Sequence, residues 1–292
     1  MDPKYPYEIG EVLLRATGIS KAYGDNQVLK GLNVEIPDVI RPDMEQGQVV
    51  AILGPSGCGK TTLFKILAGL IEPDEGDVLV GVDVERESSD SEQEDEIEHI
   101  LTPVVPGSVG VVYQSYPLFD HRRVRGNMLL GAQGNPDLEP KDYEPRMMEL
   151  LERFGVADQL NHFPAQLSGG QRQRVAIAQQ LICGSTIILM DEPFSGLDAL
   201  AKRRVCELLV ETTNMGEHRT VVVISHDIPS ALRVADTVWL MGRDFDGDKP
   251  IPGARIVEQI NLMDSIAWRP DNHLMPEFTE LVHQIEARYE RL

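Results

Sequence analysis

The feature that most constrains this chain is a glycine-rich segment that follows an apolar run. Residues 54–62 fit the pattern Gly-x-x-x-x-Gly-Lys-Thr, and residues 49–53 predict a buried strand directly before it. The apolar residues after the segment recur at helical spacing: Leu63, Phe64, Ile66, Leu67 and Leu70. A strand that leads through such a loop into a helix N-terminus is suited to phosphate groups, so the pattern predicts a nucleotide site in an α/β protein.

The residue types within this loop each have a chemical reason to be there. Gly54, Gly57 and Gly59 allow backbone N–H groups to approach phosphate oxygens without a Cβ in the way. Lys60 supplies a positive charge for the β- and γ-phosphates, and Thr61 offers a hydroxyl to Mg²⁺. We therefore expect ATP to contact the whole loop: Gly54, Pro55, Ser56, Gly57, Cys58, Gly59, Lys60, Thr61 and Thr62. For Cys58 alone, a space-filling role is the simpler interpretation.

Two later apolar runs end in polar side chains. Residues 186–190 lead into Asp191 and Glu192, and residues 221–225 lead into His226. The carboxyl ends of strands in an open α/β sheet are where ligand-binding groups collect. We expect Asp191 to orient the Mg²⁺ shell, Glu192 to polarise the attacking water, and His226 to contact the γ-phosphate. A histidine in such a place is more often structural when it stands alone, but here it follows a series of related motifs.

In this order, the motifs resemble those of the ATP-binding-cassette (ABC) ATPases over about residues 10–243. The resemblance implies that Tyr23 stacks on adenine and that Gln114 contacts Mg²⁺ and the attacking water. It also implies that Asp198 lies in the loop that crosses between two sites. The signature residues of the family, which cap the γ-phosphate bound to an opposite protomer, correspond to Ser168, Gly169, Gly170 and Gln171.

The signature segment also has physical sense, because Ser168 is a favourable N-cap for a helix over residues 171–181. Within one protomer the family resemblance puts that helix far from Lys60, so a site is completed only by a head-to-tail pair. The chain carries one copy of each motif and no internal repeat. We therefore expect a homodimer or a pair with a similar subunit.

The resemblance implies an α/β fold with the ABC form of the P-loop NTPase core. A mixed sheet is flanked by helices and joined by an antiparallel β subdomain and an inserted helical subdomain. We expect the ATP-binding domain at residues 10–243, with the helical subdomain at about residues 115–182. Candidate helices within it are residues 146–154 and 157–161. Residues 116–127 resemble the region after the glutamine in importer ATPases; they are expected either to line a groove for a membrane partner or to fill the subdomain core.

Charge and composition indicate which partners and which compartment suit the chain. The net charge of −20 disfavours binding to nucleic-acid phosphates. Three scattered cysteines without metal-type spacing suit a reducing compartment. There is no apolar run of about 20 residues and no secretory pattern at the start, so we expect a cytoplasmic protein attached to the membrane only through a partner.

Besides a short insertion at about residues 37–47, two segments depart from the usual family length. Nine acidic residues fall between Asp83 and Glu98, within an insertion at about residues 83–103, which predicts a solvated loop, with calcium or partner docking as the alternative. Residues 244–292 form an extension whose apolar residues recur at helical spacing from Pro276. We expect this helix to fold back on the core, with a dimer contact as the alternative.

These observations predict a Mg²⁺-ATP-hydrolysing subunit that drives separate transmembrane permease subunits. A single free-standing ATPase with an importer-like segment after Gln114 favours uptake, which would add a solute-binding protein as a partner. The alternatives are an export or lipid-moving ATPase subunit and, less favoured, a non-transport ABC ATPase. The catalytic residues would be Lys60, Gln114, Glu192 and His226, and the Mg²⁺ ligands Thr61, Gln114 and Asp191.

Overall fold

The computed structural model describes residues 6–41, 47–86, 96–214, 219–247, 249–264, 274, 276–289 and 292. Within these ranges the strands are β1 (Glu8–Tyr23), β2 (Asn26–Ile40), β3 (Gln48–Leu53), β4 (Glu75–Arg86), β5 (Glu96–Pro103), β6 (Gly110–Val112), β7 (Ile187–Asp191), β8 (Thr220–Ser225), β9 (Thr237–Asp246) and β10 (Lys249–Asn261). The α-helices are α1 (Lys60–Leu67), α2 (Val124–Gln133), α3 (Tyr143–Arg153), α4 (Gly169–Ile182), α5 (Ala199–Thr213), α6 (Ile228–Val234) and α7 (Pro276–Tyr289). Among these helices none is both long and apolar enough to cross a membrane.

All the strands join one sheet in the order β5-β4-β1-β2-β10-β9-β3-β8-β7-β6. The β9, β3, β8, β7 and β6 part is parallel, and its central strands β3 and β8 are buried along their whole length. The β5, β4, β1 and β2 part is antiparallel. The mixed sheet and the antiparallel subdomain predicted from the sequence are both confirmed.

The parallel part of the sheet is covered on both faces, which explains why its strands read as unbroken apolar runs. Alternate residues of β3 contact different cores. Val49, Ala51 and Leu53 join a cluster with residues of α2 to α7, whereas Val50 and Ile52 join a cluster with α1, β1 and β2. This packing holds the carboxyl ends of β3, β7 and β8 in fixed positions, and the polar residues follow there.

The inserted helices match the prediction in part. The helix expected at residues 146–154 is α3, and the helix after the signature is α4, which begins at Gly169. Residues Ala157–Gln159 form only a 3₁₀ turn, shorter than the helix expected at 157–161. Helix α2 was not predicted, and its buried Asn127 accepts a hydrogen bond from the Phe119 backbone N–H at 2.8 Å.

The prediction of a loop for the acidic insertion is wrong at both of its flanks. Strands β4 and β5 extend into it and pair antiparallel, with Asp83 opposite His99. The ring Nδ1 of His99 lies 2.7 Å from Asp83 Oδ1, and its Nε2 lies 2.9 Å from the Val12 carbonyl oxygen. These contacts raise the pKa of His99, the one to Val12 most. The pairing therefore places the His99 ring beside one of the acidic side chains, while residues 87–95 lie outside the described ranges.

The extension folds back on the protein, as expected. Strand β10 pairs antiparallel with β9, and α7 buries Phe278, Val282 and Ile285 in the larger core cluster. Where the ATP-binding domain ends stays a prediction, since β9 and β10 continue the sheet through residue 243.

Candidate functional site

The glycine loop lies between the carboxyl end of β3 and the first turn of α1, as the sequence predicts. Gly59 has φ +103°, and a Cβ there would lie 2.8 Å from Val28 Cγ1. A Cβ on Gly54 would lie 2.5 Å from the Met241 carbonyl oxygen. Glycine is therefore required at Gly59 for its backbone conformation and at Gly54 for close packing against β9.

The Lys60 side chain folds back along this loop. Its Nζ donates hydrogen bonds to the carbonyl oxygens of Gly54 at 2.6 Å and Pro55 at 3.1 Å, and the residue is 8% exposed. The same Nζ lies 4.0 Å from Glu192 Oε1. The ammonium group thus lies between the loop and the Glu192 carboxylate, where it can neutralise phosphate oxygens.

Glu192 is fixed by three contacts from the end of β8. Its Oε2 lies 2.8 Å from His226 Nδ1 and accepts hydrogen bonds from the Ser225 hydroxyl at 3.2 Å and the His226 backbone N–H at 3.3 Å. The residue has φ +49°, a conformation uncommon outside glycine. Its backbone N–H donates to the Ile224 carbonyl oxygen at 2.8 Å, so β8 holds the turn in which Glu192 lies.

Asp191 precedes this carboxylate at the end of β7. Burial raises its pKa, and the charge of Glu192 raises it further, whereas Lys60 and Lys65 lower it. Asp191 lines an open cavity of about 460 Å³ together with Tyr113, Gln114 and Ser115. Carboxylate, amide and hydroxyl oxygens are ligands that Mg²⁺ accepts, so the donor set of Asp191, Gln114 and Thr61 fits this ion.

The predicted signature residues lie on another element, at the start of α4. The Ser168 hydroxyl accepts a hydrogen bond from the Gln171 N–H at 3.3 Å, and the Gln171 side chain accepts one from the Ser168 N–H at 2.9 Å. This capping box starts α4 and leaves Ser168, Gly169 and Gly170 exposed. The four signature residues line a cavity of about 430 Å³ with Tyr116, Leu197 and Ala201.

Tyr23 and Asp198 lie on other elements. Tyr23 ends β1 with 54% of its surface exposed, and Lys21 Nζ lies 6.0 Å from its ring centroid. Asp198 caps α5 by accepting a hydrogen bond from the Ala201 N–H at 2.8 Å. Their proposed contacts with adenine and with a second protomer therefore stay predictions, as does the assignment of every site residue to a bound ligand.

Two residues at the site were missed from the sequence. Ser225 bonds to Glu192, and its position directly before His226 could have indicated this. Tyr289 at the end of α7 donates a hydrogen bond from its hydroxyl to the Gly54 carbonyl oxygen. The residues are 235 positions apart, and no local pattern links them.

Comparison with known proteins agrees with the fold. Residues 38–195 match a family model described as ABC transporter. The aliphatic sulfonates import ATP-binding protein SsuB of Pseudomonas putida is 36% identical, covering 86% of this chain and 83% of its own. The sulfate/thiosulfate import ATP-binding protein CysA of Acinetobacter baylyi is 32% identical, covering 94% and 69%. The structure of cbiO1 from Clostridium perfringens, described as part of the ABC transporter complex cbiONQ, has a TM-score of 0.67 at 25% identity, covering 94% and 99%.

Proposed function

The chain belongs to the ABC transporter family as an ATPase subunit, and from this premise we propose how it works. It binds Mg²⁺-ATP at the glycine loop, closes as a head-to-tail dimer around two nucleotides, and reopens after hydrolysis. These movements drive separate permease subunits in uptake. The observation that carries the proposal is the convergence of Lys60, Glu192 and His226 beside the loop, with separations of 4.0 and 2.8 Å.

Catalysis in this proposal is mainly positioning and charge stabilisation. Lys60 and the loop amides hold the phosphates. Glu192 accepts a proton from the water that attacks the γ-phosphorus, the bond from that phosphorus to the ADP oxygen breaks, and ADP leaves. His226 holds the γ-phosphate and keeps the Glu192 carboxylate in one orientation through its 2.8 Å contact.

Mg²⁺ would be held by Thr61, Gln114 and Asp191, and when bound it neutralises charge on the phosphate oxygens. Burial, and then the charge of Glu192, raises the pKa of Asp191, and a bound cation would offset both costs of keeping this carboxylate ionised. Asp191 would hold the ion, while Glu192 stays available for water.

The dimer is proposed because the signature residues lie at an exposed helix N-terminus that lines a cavity of its own. The positive end of α4 favours an anion there. A partner protomer that presents its bound γ-phosphate to Ser168 and Gly169 would supply the anion that this helix N-terminus favours. Tyr23 would stack on the adenine, and Asp198 would lie in the loop that crosses between the sites.

The transport role is supported by the names of the relatives, which are import ATP-binding proteins for sulfonates and for sulfate or thiosulfate. We propose that the chain lies at the cytoplasmic face of the membrane, held there by permease subunits, and that a solute-binding protein delivers the cargo. Uptake is favoured over export or lipid movement by the same relatives.

Affinity isolation tests this role. Tagged Glu192→Gln protein is incubated with ATP and Mg²⁺ in detergent-solubilised membranes of the source cells, and the retained proteins are identified. Recovery of a multi-span protein is expected, and a co-purified solute-binding protein supports uptake. Recovery of soluble proteins alone, in equal amount from membrane-free extract, would overturn the transport role. Glu207→Gln, an exposed change on α5, is the matched control that should not accumulate in the ATP-bound complex.

A further inference from the structure

The first residue of the glycine loop has an unexpected partner in the C-terminal extension. The Gly54 carbonyl oxygen accepts a hydrogen bond from the Tyr289 hydroxyl and another from Lys60 Nζ at 2.6 Å. One backbone oxygen therefore connects the last turn of α7 to the ammonium group assigned to the nucleotide phosphates. A carbonyl oxygen has two lone pairs, so both donors can be accommodated at once.

Helix α7 is firmly held where it makes this contact. Phe278, Val282 and Ile285 are buried, and Ile285 is fully inaccessible to solvent. One turn further on, Arg288 Nη1 lies 2.6 Å from Glu258 Oε1 on β10. An element anchored by a buried face and by β10 can hold a hydroxyl at a fixed point, unlike an exposed side chain on a loop.

Strand β9 contacts Leu292, which follows α7, on another side of Gly54. The Arg243 N–H donates to the Leu292 carbonyl oxygen at 3.2 Å, and the Leu292 N–H donates to the Tyr289 carbonyl oxygen at 3.2 Å. A Cβ on Gly242 would lie 2.8 Å from Leu292 Cβ, so the backbone of β9 and the tail are in close contact. Gly54 thus lies between the middle of β9, where Met241 is in contact with it, and the end of α7.

We infer that Tyr289 is a positioning residue for nucleotide binding, which acts on Lys60 through the Gly54 carbonyl. The inference rests on the proposed function. When the ammonium of Lys60 turns from the loop to the phosphates, Gly54 loses one of its two donors. The Tyr289 hydroxyl remains bonded to the oxygen, so the carbonyl of the buried Gly54 is not left without a partner. Release of Lys60 then costs less free energy, and ATP binds more tightly.

The chemistry of the hydroxyl suits this role. Burial raises the pKa of Tyr289 to about 12, and the neighbouring Cys58 and Glu192 raise it in the same direction. The side chain therefore remains a protonated donor throughout the pH range in which ATP is bound. A phenylalanine at this position would keep the ring and lose only the hydrogen bond.

The test is the affinity for Mg²⁺-ATP of Tyr289→Phe, measured by calorimetry at a temperature where circular dichroism shows each protein folded. Tyr7→Phe is the matched control, because the Tyr7 hydroxyl bonds Asn261 at 2.9 Å on β10. Loss of one ordinary hydrogen bond corresponds to roughly a fivefold rise in Kd. We expect that rise for Tyr289→Phe and no change for Tyr7→Phe.

Steady-state kinetics separate positioning from a general structural effect. Because Tyr289 bonds the loop and not the reacting atoms, KM for ATP should rise about fivefold while kcat stays within twofold of the wild type. A fall in kcat at constant KM would mean less folded enzyme and would overturn the inference. So would a Kd for Tyr289→Phe within twofold of a wild type that binds ATP. A wild type that binds no ATP would instead overturn the proposed function, on which the inference depends.

Discussion

The His226 Nδ1 atom lies 2.8 Å from Glu192 Oε2, although the two residues follow different strands of the sheet. The ends of β7 and β8 bring them together, and the Ser225 hydroxyl bonds the same carboxylate oxygen at 3.2 Å. Glu192 is therefore oriented by the side chain and the backbone of His226. Its other oxygen, Oε1, is the one nearest to Lys60. The carboxylate is held in one orientation before any water binds.

Removal of the histidine should therefore affect turnover more than binding. His226→Ala is expected to lower kcat by about 10²-fold, the size of a typical loss of a group that positions an acid or base. The Kd for ATP should rise only about fivefold, which corresponds to the loss of one hydrogen bond to the γ-phosphate. Phosphate-release assays measure kcat, and calorimetry measures the Kd for ATP. His283→Ala, an exposed change on α7, is the control. A kcat equal to that of the control would show that His226 has no role in catalysis.

The signature serine has two separable roles, as a helix cap and as a γ-phosphate contact. Ser168→Ala should lose about 1 kcal/mol of the free energy of unfolding, because the cap to Gln171 is lost. Ser168→Asp keeps an N-cap acceptor but adds a negative charge where the partner's phosphate would lie. We expect Ser168→Asp to unfold like the wild type in urea and to lose most of the ATPase activity. Full activity in this variant would contradict the proposed contact across the dimer.

Stability depends on one buried ion pair that connects distant parts of the chain. Arg41 Nη1 lies 2.7 Å from Asp236 Oδ1, and Asp236 Oδ2 accepts a hydrogen bond from the Val49 N–H at 2.7 Å. Asp236→Ala should cost about 3–5 kcal/mol in the free energy of unfolding, since the buried Arg41 loses this ion pair and the Val49 N–H loses its acceptor. Glu207→Ala removes the exposed pair with Arg203 and should cost less than about 1 kcal/mol. Equal costs in urea titrations would contradict this account.

The parts of the structure that were predicted from the sequence depend on local patterns. The buried strand β3, the loop and α1 follow each other along the chain, and the Ser168 cap bonds a residue three positions away. Helix α7 was predicted from the spacing of its apolar residues, since its buried face is regular.

The parts that were missed depend on long-range packing. Helix α2 contains Asn127 and Gly131, both poor helix formers, and a Cβ on Gly131 would lie 2.7 Å from Ile182 Cγ2 on α4. Close packing of the two helices therefore outweighs local propensity. The β4–β5 pairing was missed because acidic side chains suggested a loop, whereas its register sets Asp83 opposite His99. The Tyr289 contact with Gly54 depends on where α7 ends relative to β9.

The central claim is that Glu192 is the base of a hydrolytic ATP site, and its most direct test is ATP turnover by Glu192→Gln. We predict that the wild type and Glu207→Gln hydrolyse Mg²⁺-ATP at equal rates, and that Glu192→Gln is at least 10²-fold slower. With ATP present, Glu192→Gln should still bind the nucleotide and elute as a dimer in size-exclusion chromatography. Turnover by Glu192→Gln within threefold of the wild type would contradict the claim.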